Sequence, residues 1–171
     1  PRMIRSMAGL LLLDKPLGAT SHDVVKWVRR ELREKRVGHA GTLDPLASGL
    51  LPCLVGPATR LASHLHSWPK TYVGLIQLGE ETETGDLDGA QGLPQAPMPP
   101  LHVIEAARRR FLGSQQQLPP AYSAKKVGGI RAHTLARQGF PPSLSAVAVT
   151  IHALRLSPVE NGRLVFATKV S

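Results

Sequence analysis

Residues 38–49 read GHAGTLDPLASG, a run of glycines and small side chains with a single acid, Asp44, directly before Pro45. Glycine and proline at this density predict a tight loop, because turns need the backbone conformations that these two residues supply. An aspartate before a proline is most often a turn acid that accepts local backbone hydrogen bonds. The small residues also leave room for a flat ligand against the backbone, where the Asp44 carboxylate would meet it. The loop alone leaves both interpretations open.

The segment before the loop predicts a strand and then a helix. Residues 9–16, GLLLLDKP, form a short apolar run typical of a buried strand that ends in a turn at Lys15 and Pro16. Thr20 and Asp23 have the spacing of a helical capping box. The helix that follows has one apolar face, made of Val24, Val25, Val28 and Leu32, and a basic side, made of Lys26, Arg29, Arg30, Arg33, Lys35 and Arg36.

Three further elements are predicted directly after the loop. Residues 50–56, LLPCLVG, predict a second buried strand. Residues 58–68, ATRLASHLHSW, predict a helix with Leu61 and Leu65 facing inward. Residues 70–79, KTYVGLIQLG, predict a strand whose two faces are both largely apolar.

The second half of the chain predicts a helix followed by an irregular stretch. The helix covers about residues 101–112, with Ile104, Ala107 and Phe111 inward and Arg108 to Arg110 outward. Residues 113–145 show no clean hydrophobic period and are polar, basic and rich in turn residues. That composition is typical of an excursion from the core.

The last two strand patterns, AVAVTIHALRL (residues 146–156) and GRLVFATKV (residues 162–170), predict an antiparallel pair. With the helices and strands before them, they favour an α+β fold with a mixed, mainly antiparallel sheet flanked by helices. The length of 171 residues suits one domain with an insertion. We therefore expect a single domain over residues 1–171 with the insertion at residues 113–145. Because the final strand pattern reaches Ser171, we also expect the domain to be incomplete as given.

Composition favours a polyanionic partner. The 21 Lys and Arg exceed the 12 Asp and Glu and give a formal net charge of +9, as in many nucleic-acid-binding domains, although a basic surface can also serve solubility alone. The single Cys53 suits a reducing compartment, and no run is long enough for a signal peptide or a membrane span, so we expect a cytoplasmic protein. The chain has no P-loop and no GxGxxG, HExxH or CxxC motif, which leaves nucleotide-binding, zinc-protease and thiol-redox functions without support.

Four segments, in chain order, resemble the bacterial tRNA pseudouridine synthase B (TruB) family. They are GLLLLDKPLGATSHDVV, RVGHAGTLDPLASGLLP, KTYVGLIQLGEETETGDLDG and LPPAYSAKKVGGIRAHTLARQG. The second is the specific one, because an HxGxLDPxAxG loop in this context is rarely found elsewhere. The resemblance implies an isomerase that converts the uridine conventionally numbered 55 in the T-loop of tRNA to pseudouridine, with no metal and no organic cofactor.

The resemblance also implies roles for individual residues. Asp44 matches the family's catalytic aspartate, the nucleophile that attacks the nucleoside while the base detaches and turns over. Tyr72 matches an active-site tyrosine that lies against the target base and is a candidate for proton transfer at the sugar. His39 matches the histidine beside the flipped nucleotide. From the loop sequence itself, Thr42 can hold the loop by its hydroxyl and is a further candidate for substrate contact. A family arginine and a second tyrosine belong to a KGTYIR-like segment that would begin just after Ser171.

The irregular stretch resembles the thumb-like insertion with which the family clasps the T-arm of tRNA. Extruding a uridine from a folded loop costs roughly a few kcal/mol, which contacts elsewhere on the RNA must supply. Phosphate contacts are the obvious source. We expect tRNA as the partner of a monomer, with no membrane and no protein partner, and the candidate contact residues are Tyr122, Lys125, Lys126 and Arg131.

Other functions remain open at this point. Without the resemblance, Tyr72 is more often a core aromatic and His39 a structural hydrogen-bonding residue. A guide-RNA-dependent relative has a similar catalytic loop but lacks the insertion. An RNA-binding module without catalysis would need no arginine beyond Ser171. A glycosidase-like hydrolase would pair Asp44 with an acid among residues 80–88 and would release free uracil.

Overall fold

The computed structural model describes residues 7–79, 82, 97–119, 126–127, 130–131 and 144–171, with the backbone alone at 126–127 and 130–131. The chain divides into two compact units, Pro1–Trp68 and Pro69–Ser171. The first contains β1 (Gly9–Lys15), α1 (Ser21–Leu32), β2 (Val37–His39), β3 (Gly49–Val55), a 3-10 helix (Gly56–Leu61) and α2 (Ala62–His66). The second contains β4 (Lys70–Gln77), α3 (Leu101–Phe111), β5 (Gly113–Gln117), β6 (Lys126–Val127), β7 (Ile130–Arg131), β8 (Val147–Val159) and β9 (Arg163–Val170).

The predicted α+β class is confirmed, and all pairings between the described strands are antiparallel. In the first unit, β3 is the central strand of the order β1-β3-β2. Its Val55 lies opposite Gly9, and its Cys53 lies opposite His39. α1 packs on one face of this sheet, and its apolar side forms a single core cluster with the sheet: Val24, Val25, Val28, Val37, Leu51, Cys53 and Val55.

Only one face of β1 belongs to that core. Leu11 and Leu13 pack against the cluster, whereas Leu10 and Leu12 are 48% and 63% exposed. The prediction of a fully buried strand is therefore wrong for the second face, because α1 covers the sheet from one side. Cys53 packs as a small apolar side chain as predicted, and its burial raises the pKa of its thiol.

α1 begins where its capping residues predict. The Thr20 hydroxyl accepts a hydrogen bond from the Asp23 N–H at 3.1 Å, and the Asp23 carboxylate accepts one from the Thr20 N–H at 3.1 Å. This reciprocal pair satisfies two N–H groups that the first helical turn leaves without partners. At the other end Arg33 adopts a left-handed conformation, with φ of 51°, and ends the helix. The Arg29 guanidinium then donates to the carbonyl of Val37 at 2.8 Å, which joins α1 to β2.

The helix predicted over residues 58–68 is split in the structure. A 3-10 helix covers Gly56–Leu61, and α2 covers only Ala62–His66. A 3-10 helix has three residues per turn rather than 3.6, which moves side chains away from the positions that an α-helical period predicts. Leu61, predicted to face inward, is 53% exposed, whereas Leu65 is half-buried.

The second unit is a four-stranded antiparallel sheet with the order β4-β9-β8-β5. The predicted pair of C-terminal strands is confirmed as β8 and β9, whose turn contains Asn161 and Gly162 with φ of 61° and 64°. Asn and Gly tolerate that left-handed conformation best. Gly74 on β4 lies opposite Phe166 on β9, and the aromatic ring covers the glycine: a Cβ built there would lie 2.6 Å from the ring.

α3 confirms the predicted helix but only one of its inward positions. Ile104 is buried, whereas Ala107 and Phe111 are exposed. Arg108, predicted to face outward, is half-buried because its Nη1 donates to the carbonyl of Leu154 on β8 at 3.0 Å. α3 therefore packs on β8 along the side that carries Ile104 and Arg108.

β5 was not predicted. Gly113 pairs with Ile151 and Gln117 with Val147, so this segment is the fourth strand of the sheet. Its sequence, GSQQQ, has no apolar alternation because an edge strand with polar side chains on both faces produces none. The stretch that leaves the sheet begins after Gln117 rather than at Gly113. Within it, β6 and β7 pair as a hairpin with Lys126 opposite Arg131.

Gly56 generates a stability prediction. Its φ is +59°, and a Cβ there would lie 2.0 Å from the carbonyl oxygen of Met7. We expect Gly56→Ala to lower the free energy of unfolding by at least about 2 kcal/mol, since it combines backbone strain with a clash against the main chain. Urea unfolding followed by circular dichroism measures this change.

Gly9→Ala is the matched control. A Cβ on Gly9 would meet nothing within 4 Å, and Gly9 lies opposite Val55, the residue directly before Gly56. Gly9→Ala should change the free energy of unfolding by no more than about 0.5 kcal/mol. Equal unfolding midpoints for the two variants would contradict the close approach at Gly56.

Candidate active site

The loop that carries Asp44 connects β2 to β3 in the first unit. Gly41 and Gly49, at its two ends, have φ of 126° and 122°, values that favour glycine. The Ala47 N–H donates to the Asp44 backbone carbonyl at 3.0 Å and closes a turn around Pro45. Asp44 itself is exposed, and within this unit no described group donates a hydrogen bond to its carboxylate. The turn thus uses the backbone of Asp44 and leaves the side chain available.

Two contacts attach this loop to the turn that precedes α1. The buried Ser21 hydroxyl donates to the carbonyl of Leu43 at 3.0 Å and accepts from the Leu43 N–H at 2.9 Å. The Gly18 N–H donates to the carbonyl of Pro45 at 2.8 Å. The residues on both sides of Asp44 are therefore bound to one neighbouring segment. These three hydrogen bonds fix the backbone that carries the Asp44 carboxylate.

Lys15 stabilises the turn at residues 16–19, which connects β1 to α1. Its side chain is fully buried, and its ammonium donates to the carbonyls of Pro16 at 3.0 Å and Ala19 at 2.7 Å. A buried cation needs such partners, because an unpaired charge in the core is very costly. From the sequence, Lys15 is predicted only as the end of a strand. The signal available was its position between an apolar run and a proline-glycine turn.

His39 and Thr42 lie near Asp44 in the chain but are held differently. His39 is the last residue of β2 rather than part of the loop, is half-buried, and its Nδ1 makes a short contact with the carbonyl of Gly41. Thr42 is exposed, and among the described residues its hydroxyl has no hydrogen-bond partner. The expectation that Thr42 holds the loop is wrong, since the hydroxyl that does so belongs to Ser21. A substrate contact by either residue stays a prediction.

Tyr72 lies in the second unit. It is on β4, the edge strand of the described four-stranded sheet, opposite Thr168 on β9, and it is 39% exposed. The alternative of a fully buried core aromatic is therefore not what the structure shows. An exposed aromatic on an edge strand has a face and a hydroxyl available to a ligand.

The structure describes two of the four predicted RNA-contact residues, and of these two only the backbone. Tyr122 and Lys125 lie outside the described residues. The backbones of Lys126 and Arg131 are described, and the register of the β6–β7 hairpin places these two positions directly opposite each other. Residues directly opposite each other on antiparallel strands form a cross-strand pair. Two cationic positions therefore form one such pair.

The cap of α1 shifts the pKa of a carboxyl group. The Thr20 hydroxyl, the Lys26 ammonium and the Thr20 N–H, in decreasing order of effect, lower the pKa of Asp23 to about 2.

In the described part of the chain, no three His, Cys, Asp or Glu side chains are grouped as a metal site would require. None of the described helices has the length and apolar character needed to cross a membrane.

Comparison with known proteins gives consistent matches. Residues 29–171 match the family model for the TruB family pseudouridylate synthase (N terminal domain). The tRNA pseudouridine synthase B of Opitutus terrae is 48% identical over 137 residues, which are 79% of this chain and 56% of that protein. The tRNA pseudouridine synthase B of Cupriavidus metallidurans is 41% identical over 167 residues, 98% of this chain and 53% of that protein. The chain therefore spans about half the length of these curated relatives.

Solved structures match at lower identity. A chain in the crystal structure of a Cbf5-Nop10-Gar1 complex superposes with a TM-score of 0.68 at 28% identity, over 95% of this chain and 39% of that one. A chain in the structure of an H/ACA RNP bound to a substrate RNA containing 2'-deoxyuridine gives a TM-score of 0.62 at 26% identity, over 95% of this chain and 37% of that one.

The cap of α1 generates a prediction about pH. Because the pKa of Asp23 in the folded protein is about 2, below its ordinary value, the cap stabilises the fold above about pH 4 and loses that effect as the pH falls toward 2. Thr20→Ala removes the largest cause and should raise the pKa of Asp23 toward the ordinary value. Carbon-13 NMR titration of the carboxyl groups measures it.

Glu105 is the internal control for that titration. Hydrogen bonds from Arg108 and Arg109 lower its pKa to about 2, and it lies in the second unit, so Thr20→Ala should leave it unchanged. An Asp23 midpoint near the ordinary value in the unmodified protein would show that the capping box does not form.

Proposed function

This chain belongs to the TruB family of pseudouridylate synthases, and from that membership we propose that it takes part in converting uridine 55 in the T-loop of tRNA to pseudouridine. The reaction is an isomerisation. The N-glycosidic bond of the uridine breaks, the base turns over, and a C-glycosidic bond forms between the same base and sugar. Atoms and electrons balance within the nucleoside, so no second substrate is consumed.

This proposal rests on the exposed side chain of Asp44 and on the hydrogen bonds that hold its neighbours. Its carboxylate is exposed on a loop whose backbone is hydrogen-bonded on both sides, at Leu43 by Ser21 and at Pro45 by Gly18. A structural turn acid would use its side chain to hold the turn, whereas here the turn is closed by backbone groups. We assign Asp44 as the nucleophile that attacks the nucleoside once the uridine has been extruded.

Three other residues are assigned roles in the same reaction. We assign Tyr72 to contact with the target base and to proton transfer at the sugar, since its exposed ring and hydroxyl suit both tasks. His39 is assigned to contact with the flipped nucleotide, and Thr42 to contact with the substrate. The exposed Thr42 hydroxyl has no described partner and can hydrogen-bond to a ligand.

Binding of the T-arm is assigned to the residues after β5. A net charge of +9 favours contact with phosphates, and the register of β6 and β7 pairs the positions of Lys126 and Arg131. Tyr122 and Lys125 are assigned to the same surface from the sequence. Such contacts would supply the energy for extruding the uridine.

A guide-RNA-dependent activity is the second candidate, because the solved structures that superpose on the chain include an H/ACA RNP. The degree of similarity favours the tRNA enzyme. The chain is 41–48% identical to two tRNA pseudouridine synthases B, against 26–28% for the Cbf5 and H/ACA RNP structures. Modification of a tRNA transcript by the purified protein with no guide RNA distinguishes the two.

Asp44→Asn tests the nucleophile. An amide keeps the size of the side chain but cannot attack the nucleoside, so we expect pseudouridine formation to fall by more than about 1,000-fold while tRNA affinity stays within about three-fold. Tritium release from labelled tRNA measures the rate, and filter binding measures the affinity. The full chain is used in both assays.

Glu31→Gln is the matched control, because it neutralises another exposed acid of the same unit, on α1. It should leave the rate within about two-fold. Normal turnover by Asp44→Asn would remove Asp44 from the chemistry, and release of free uracil by the unmodified protein would favour the hydrolase alternative.

Charge reversal tests the proposed RNA surface. Lys125→Glu combined with Lys126→Glu should weaken tRNA binding and reduce the slope of log affinity against log salt by about one to two, one for each lost phosphate contact. Measurement of affinity at several salt concentrations gives the slope. An unaltered slope would place these lysines outside the interface.

A further inference from the structure

Ser21 has a role in the structure that helix formation does not explain. It is the first residue of α1 and is only 3% exposed. The cap of the helix is made by Thr20 and Asp23, and the hydroxyl of Ser21 takes no part in it. Instead that hydroxyl reaches across 22 positions of the chain to the loop of Asp44.

The contact between Ser21 and Leu43 is reciprocal. Ser21 Oγ donates to the Leu43 carbonyl at 3.0 Å and accepts from the Leu43 N–H at 2.9 Å, so one side chain satisfies both polar groups of one residue. A neighbouring strand bonds a residue in the same way. The side chain of Leu43 packs against the core cluster at the same time. Leu43 is therefore fixed through its backbone and through its side chain.

Asp44 follows directly, and its own carboxylate has no described partner within the unit. The position of that carboxylate thus depends on the backbone on either side. Gly18 binds Pro45 through a main-chain N–H, so no side chain takes part on that side. The Ser21 side chain holds the other side, at Leu43, and it is only 3% exposed.

We propose that Ser21 is a positioning residue for the proposed pseudouridine synthase reaction: its hydroxyl sets the direction in which Asp44 meets the extruded uridine. The inference rests on the proposed function. A displacement of a reacting group by about 1 Å can cost about 100-fold in rate. Loss of the hydroxyl should therefore affect the chemical step and leave substrate binding almost unchanged.

The test compares Ser21→Ala with Thr20→Ala in the full chain. Both remove one hydroxyl at the start of α1, but Thr20→Ala weakens the helix cap and leaves both bonds to Leu43 in place. We expect Ser21→Ala to lower the single-turnover rate on tRNA by about 100-fold with KM within about two-fold. Thr20→Ala should stay within about three-fold in both. Equal rates for Ser21→Ala and the unmodified protein, or an equal loss in both variants, would overturn the proposal.

Hydrogen exchange supplies a readout that needs no activity. The amide of Leu43 donates to Ser21 Oγ, so Ser21→Ala should speed its exchange by at least about 10-fold, and Thr20→Ala should not. Unchanged exchange at Leu43 would overturn the positioning role. If instead the unmodified protein fails to modify tRNA while Leu43 responds as expected, the proposed function fails and the contact stands.

Ser21→Cys keeps the test decisive should Ser21→Ala fold poorly. Cysteine fills the buried space with a thiol that is a weak donor and a weak acceptor. We expect a loss in rate of about 10-fold and faster exchange at Leu43, both smaller than for alanine. A cysteine variant that matches the unmodified protein in rate and exchange would contradict the proposal.

Discussion

The arrangement of the candidate site depends on the hydrogen bonds between the turn before α1 and the loop of Asp44. Ser21 binds Leu43, and Gly18 binds Pro45, so the segment at residues 16–21 holds the aspartate loop on both sides. The loop itself contains small residues and two glycines with positive φ, which make its course possible but do not select it. The course of the loop is determined by its hydrogen bonds to a segment about 25 residues earlier in the chain.

That partner segment is itself built on the core. Lys15 ends β1, is fully buried, and binds the carbonyls of Pro16 and Ala19, so the turn is anchored to the strand from which it leaves. Thr20 and Asp23 then fix the first turn of α1, whose valines pack on β3. Lys15, Thr20, Ser21 and Asp23 all make hydrogen bonds within the protein, and the Asp44 carboxylate that they support is exposed. This arrangement agrees with the general finding that a reactive group is held most accurately by neighbours that are themselves fixed.

Much of this could be predicted from the sequence where the signals are local. The capping box at Thr20 and the valines of α1 lie within one helix, and the turn of Asp44 follows from glycine and proline in the loop. The contact between Ser21 and Leu43 spans 22 positions, and no periodic pattern encodes it. β5 was missed because a polar edge strand has no alternation, and Leu61 was misplaced because a 3-10 helix changes the period. The family resemblance located Asp44, and the structure identifies the groups that hold it.

A crystal structure of the full chain with a T-arm RNA hairpin tests the central claim most directly. We predict that residues 41–45 keep their backbone conformation to within about 1 Å, with Ser21 still bonded to Leu43, because the loop is preorganised. The target uridine should lie out of its stack with its sugar against the Asp44 carboxylate. A uridine that stays stacked within the RNA loop, or an Asp44 loop rebuilt with the Ser21 contacts broken, would contradict the account.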